Sequence, residues 1–179
     1  LTITKGQSLV VGDTSYTFSG DIAAGTASLS AIGLKATVGS AFTITGDVGF
    51  ARNGDGLFAT GTNIDARLTS GTSSVEVTDA SLGLVATSVG TAVELSNGGF
   101  AATMPDLVGV KAASALARYT SADMEIAAGR LIDVAGVKHT FAGGIAKNTL
   151  ALAATGFEAT VSDFVTLAGD LGFKKDADS

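Results

Sequence analysis

Apolar and polar side chains alternate with a period of two along most of the chain. In residues 42–50 (FTITGDVGF), Phe42, Ile44, Gly46, Val48 and Phe50 fall on one side and Thr43, Thr45, Asp47 and Gly49 on the other. That is the pattern of a half-buried strand, with the apolar side assigned to a core and the polar side to water. Residues 15–22 and 58–68 read the same way. Some segments change phase partway. Val75 and Val77 have one parity and Leu82 and Leu84 the other, and Val93 and Leu95 give way to Phe100, Ala102 and Met104 across Asn97-Gly98-Gly99. Such slips predict β-bulges.

Turn signals separate these runs. They fall at Ala24-Gly25, Gly39-Ser40, Asn53-Gly54-Asp55-Gly56, Ser70-Gly71-Thr72, Val89-Gly90-Thr91 and Met104-Pro105-Asp106, and Asn-Gly between two alternating runs is a strong hairpin signal. The spacing predicts an all-β protein, an antiparallel meander that forms an elongated sandwich or barrel-like repeat structure. Residues 110–119 (VKAASALARY) contain helix formers but no cap. They stand where the meander needs a strand and are read as one.

The 42–50 stretch occurs twice. Residues 165–173 (VTLAGDLGF) repeat it at an offset of 123 and keep Thr43/Thr166, Gly46/Gly169, Asp47/Asp170, Gly49/Gly172 and Phe50/Phe173. The match runs without a gap from residues 1–54 to 124–177, with about 20 identities, as tandem duplication produces. Residues 1–123 are therefore read as one complete β-repeat of roughly eight strands. Residues 124–179 are read as the first part of the next repeat, expected to pack on the first because a lone half-repeat would leave an open sheet edge. The chain is expected to be a piece of a longer array or a mature form without its leader.

Composition narrows the function classes. The 179 residues carry a net charge of −6, which disfavours nucleic acid and anionic membranes as partners. No apolar run reaches the length of a membrane-spanning helix, and two Tyr with no Trp do not supply the aromatic girdles of a membrane barrel. There is no Cys, hence no disulfide, thiol nucleophile or thiolate metal site. Twenty-four Gly with one Pro suit tight turns and crowded sheets.

Chemistry-bearing motifs are sparse. The single histidine, His139, falls at the position of Tyr16 on a core-facing parity, so it is read as structural. No G-x-S-x-G, S-x-x-K or H-E-x-x-H occurs, and no enzyme activity is expected. Oxygen ligands cluster at Asp47, Asn53 and Asp55 and again at Asp170, Asp176 and Asp178. These are calcium candidates, although Asn-Gly-Asp-Gly is also a plain hairpin turn. Asp47, kept as Asp170, is the one residue of the repeated motif with no packing reason.

Three segments together, residues 45–50 (TGDVGF), 77–84 (VTDASLGL) and 92–96 (AVELS), resemble repeats of very large bacterial surface or secreted adhesin-type proteins. Segments of the form SGDFGF and VTNGSLGL recur there in long arrays. The resemblance implies export, an extracellular or cell-surface location and a stalk or extender role, with neighbouring copies of the repeat as partners. The alternative is a calcium-assisted β module that binds a surface glycan or a protein through its loops.

Overall fold

The structure, a computed structural model, describes residues 2–18, 20–39, 41–104, 107–161 and 165–175. All its regular elements are strands: β1 (Ser8–Val11), β2 (Thr14–Thr17), β3 (Ala27–Val38), β4 (Phe42–Asn53), β5 (Gly56–Ser70), β6 (Ser73–Thr87), β7 (Thr91–Met104), β8 (Leu107–Thr120), β9 (Leu131–Val134), β10 (Val137–Thr140), β11 (Leu150–Val161) and β12 (Val165–Lys175). Residues 110–119 lie in β8, a strand.

Eight strands form one open antiparallel sheet in the order β12-β11-β8-β7-β6-β5-β4-β3; it is not a closed barrel. It meanders through β3 to β8, leaves at Thr120, and resumes with β11 paired to β8. The intervening residues 121–149 fold over the sheet as a small hairpin layer containing β9 and β10. Residues 2–26, containing β1 and β2, form a matching hairpin at the other end.

The phase slips near Asp79 and across Asn97-Gly98-Gly99 each coincide with a bulge. The bulges in β3, β5 and β11 have no such signal, and the one at Asn63 interrupts the 58–68 run that reads as unbroken alternation. The ladder shifts register between Ala31 and Leu34 in β3, Gly61 and Ile64 in β5, Leu95 and Gly98 in β7, and Ala154 and Phe157 in β11. The extra residue takes a left-handed conformation at Gly33, Asn63, Asp79, Asn97 and Gly156, where Gly, Asn and Asp are the residues that tolerate it. Strand β4 has no extra residue of its own: in both of its ladders the added residue lies on the partner strand. Its parity therefore holds from Phe42 to Phe50.

On β4 the face covered by the hairpin is the reverse of the sequence reading, whereas on β5 the side that carries Phe58 and Thr60 is covered as read. Cross-strand partners share a face. The row Gly49–Thr60–Gly83–Glu94–Arg118 and the row Ala51–Phe58–Val85–Ala92–Thr120 lie under the 121–149 hairpin. The hydrophobic cluster is Val85 and Ala92 from the sheet with Met124, Ile126, Ile132, Val134, Phe141 and Ile145 from the hairpin, edged by Ala51 and Phe58. Phe50, placed in the core by its parity, belongs to the opposite row Phe50–Ala59–Leu84–Val93–Tyr119–Leu150 and is 49% exposed. Its counterpart Phe173 is also exposed. The cause is that the hairpin brings its own apolar side chains, each worth about 1.5–3 kcal/mol when buried. The strand face that receives them needs small residues more than apolar ones.

Candidate functional site

The most concentrated chemistry lies where this hairpin meets β6, β7 and β8. His139, on β10, is buried with its imidazole against Gly83, where a Cβ would overlap the ring. Nearby, a Cβ at Gly49 would come within 2.8 Å of Val134. The two glycines let hairpin and sheet approach to backbone distance. Phe141 packs edge-to-face on the imidazole, with centroids 4.9 Å apart, a favourable aromatic geometry.

His139 is held at both nitrogens. Nδ1 lies 2.8 Å from Ser81 Oγ, and Nε2 lies 3.2 Å from Oε1 of Glu94. The other carboxylate oxygen, Oε2, accepts a hydrogen bond from Nε of Arg118 at 2.6 Å. Ser81 Oγ also reaches the carbonyl of Gly61 at 3.3 Å. Burial pushes the Glu94 carboxyl up. The hydrogen bonds from His139 and Arg118, with the charge of both partners, outweigh it and hold the group below the ordinary carboxylate value. A buried carboxylate without such partners would be strongly destabilising.

The order hydroxyl–imidazole–carboxylate is that of an activated nucleophile, but the surroundings oppose this role. The His139 and Glu94 side chains are each about 1% exposed, and Ser81 Oγ lies between hairpin and sheet against the Gly61 carbonyl. Ser81 itself is half-buried, and its hydroxyl is engaged by both the imidazole and the Gly61 carbonyl. What the geometry does is fasten. Thr60 adds a hydroxyl hydrogen bond to the Val137 carbonyl at 3.0 Å. At the hairpin base, Thr120 Oγ1 donates to the Ala146 carbonyl at 2.6 Å and accepts from the Thr149 amide at 3.0 Å. The hairpin is thus tied to β5, β6, β7 and β8 by side chains aimed up from the sheet.

The proposed oxygen ligands do different work. Asp47 Oδ1 accepts the Gly33 amide at 2.8 Å and Oδ2 accepts the Asn63 side-chain amide at 3.2 Å. Asp170 Oδ1 accepts the Gly156 amide, also at 2.8 Å. Each carboxylate satisfies the backbone N–H at the left-handed bulge residue of the neighbouring strand. This is the structural reason for its repetition that parity alone did not reveal. Asp65 does the same for the amide of Asp79. Asn53 Oδ1 accepts from the amides of Asp55 and Gly56 at 2.9 and 3.2 Å, the bonding of a self-capped turn. Asp55 is exposed in that turn. Asp47 and Asn53 stand six residues apart on β4, about 20 Å in an extended strand. Asp176 and Asp178 lie outside the described residues. Among the described residues no three His, Asp or Glu side chains converge on a common metal position.

The sequence reading singled out His139 but not Ser81, Glu94 or Arg118. Glu94 sits on the polar parity of residues 92–96 and reads there as a solvated acid. The signal was the register: Gly83, Glu94 and Arg118 are consecutive cross-strand partners, which one strand at a time does not disclose.

Against known proteins the chain finds no counterpart: no family model, no curated protein and no solved structure matches it. Among the described residues no helix is long and apolar enough to cross a membrane.

Proposed function

We propose that this chain is a non-enzymatic structural module, a length of stalk or extender built from 123-residue units in a secreted or surface-exposed bacterial fibre or adhesin. The observation that carries the reading is the passage from β8 to β11. Strands of the second sequence unit add to the sheet of the first in unbroken antiparallel order, and β12 leaves a further edge on which the next strand can build. Stability in such an array comes from each unit burying its neighbour, which makes length the product of copy number. The acidic surface, the absence of Cys and the adhesin-like motifs are consistent with export. The buried setting of His139 and Glu94, with Ser81 half-buried beside them, suits a joint better than a reaction.

The test is to add further 123-residue units and measure shape by small-angle scattering. The maximum dimension rises by a constant increment per unit if the reading holds. Compact particles, or folded beads on flexible tethers, would overturn it.

A further inference from the structure

The two hairpins share one internal structure and differ in what covers them. Ile3 and Ile22 form an isolated bridge, as do Ile126 and Ile145 at the 123-residue offset. The Gly6 amide donates to the Phe18 carbonyl at 2.8 Å, and the Gly129 amide to the Phe141 carbonyl at 2.8 Å. Tyr16 and Phe18 stack edge-to-face as His139 and Phe141 do. Four buried positions of the second hairpin keep their apolar character in the first, Leu9 for Ile132, Val11 for Val134, Phe18 for Phe141 and Ile22 for Ile145, while buried Val137 is replaced by Thr14. Yet Leu9 is 53% exposed against 6% for Ile132, and Val11 68% against 2% for Val134. This hairpin therefore carries a formed apolar face whose Leu9, Val11 and Tyr16 no described residue covers as the sheet covers their counterparts.

We infer that residues 2–26 are the docking half of a joint. This hairpin lies across the sheet of the preceding copy of the unit, as residues 121–149 lie across β4 to β8 here. The inference rests on the array reading above and specifies its joint. The interface already present in the chain supplies the map. Strand β3, the edge of the sheet opposite β12, takes the place of β11 and pairs with the preceding copy's β8, and the side chain of Tyr16 goes over its β6 and β7. A phenol in place of the imidazole keeps one donor for the carboxylate equivalent to Glu94. The preceding sheet must be another unit in the same polypeptide, because the sheet of this chain already holds its own hairpin.

The map also specifies the neighbour. Glu158 pairs with Lys111 at 3.3 Å across β11 and β8, but the residue equivalent to Glu158 on β3 is Lys35. An identical preceding unit would set Lys35 beside a lysine, and like charges directly opposite are unfavourable. A neutral or acidic residue at the position of Lys111 in the preceding unit would therefore fit this joint better than lysine.

The chain has no Cys, so single thiols report cleanly. Leu9→Cys and Ile132→Cys are made in the 179-residue chain, and Leu9→Cys again in a chain with residues 27–123 written once more before residue 1. In the shorter chain the thiol at position 9 reacts about 100-fold faster than that at 132, since a buried thiol waits for local opening. In the longer chain it slows to the rate at 132, and more completely when the added copy carries Lys111→Glu. An unchanged fast rate with both added copies, folded or not, overturns the inference. Scattering on the same samples separates the two readings. Added length with a fast thiol leaves the array standing and removes this joint. A protected thiol without added length keeps the docking and removes the rod.

Discussion

The hairpins at residues 2–26 and 124–149 are the same object in two settings. Both close with an Ile–Ile bridge, both stack an aromatic pair edge-to-face, and both turn β-strands of four residues around a tight turn. In one the strands are exposed at every position; in the other every second residue is buried. The backbone form of this motif is thus set locally, by turn residues and a bridge. Its stabilisation is set by the sheet beneath it. A two-stranded hairpin is marginal on its own in water, so the second hairpin's order draws on Gly49, Gly83, Thr60 and Glu94, each 45 or more positions from the hairpin residue it meets.

That contrast is most directly broken by paired truncations. Phe141→Ala is expected to cost about 3–5 kcal/mol in denaturant unfolding, the range for a buried aromatic, while Phe18→Ala costs below about 1. Equal losses would show that the first hairpin is covered in solution. Glu94→Ala is expected to cost about 3–5 kcal/mol, because it leaves His139 and Arg118 facing an emptied site. The titration of Glu94 sharpens this. Its folded-state pKa lies below the ordinary 4.5, so its contribution is present in full above the unfolded value and is lost as pH falls through the folded one. The stability gap between the native chain and Glu94→Gln should therefore narrow in melts taken below about pH 4.5. A gap that stays constant there would remove the carboxylate from the fastening.

Gly83→Ala comes next, at about 1–3 kcal/mol, since the new methyl meets the imidazole of His139. The cost should shrink in the double variant with His139→Ala, which a thermodynamic cycle reads as coupling; additive losses would place the clash elsewhere. Smallest are Asp47→Ala and Asp170→Ala, at about 1 kcal/mol for the bulge amide each leaves unpaired. Calorimetry with and without chelator should give the same melting temperature for the native chain and both variants. A calcium-dependent rise abolished by Asp47→Ala would return that residue to the role of an ion ligand.

Alternation located the strands because a pleated chain offers side chains to two sides in turn, and residues 42–53 kept that parity throughout. Two of the bulges were legible too, since an extra residue leaves its mark as a change of phase near Asp79 and Asn97; those at Gly33, Asn63 and Gly156 left none that was read. Parity could not say which side would be covered. It ranks faces by their own polarity, whereas the covered face here receives its apolar atoms from Met124, Ile126, Val134 and Phe141. Gly49 and Gly83 read as sheet geometry, and their absent side chains turn out to be the seat of the hairpin. The fastening network escaped for a related reason. Ser81, Glu94 and Arg118 come from three strands and His139 from a fourth, and each alone is an ordinary polar residue on a wet-looking face.

The placement of the hairpin between β8 and β11 has a mechanical consequence. Tension applied to the two ends of the chain acts across the strands, the direction in which a sheet gives way by losing one pair of strands at a time. Once β12 and β11 have peeled from β8, the next chain to be drawn taut is the 121–149 segment. It crosses several strands and is pinned to them through His139, Thr60 and Thr120, so load arriving there is shared over four strands at once. The hairpin is a strap, and the Ser81–His139–Glu94–Arg118 chain is its buckle.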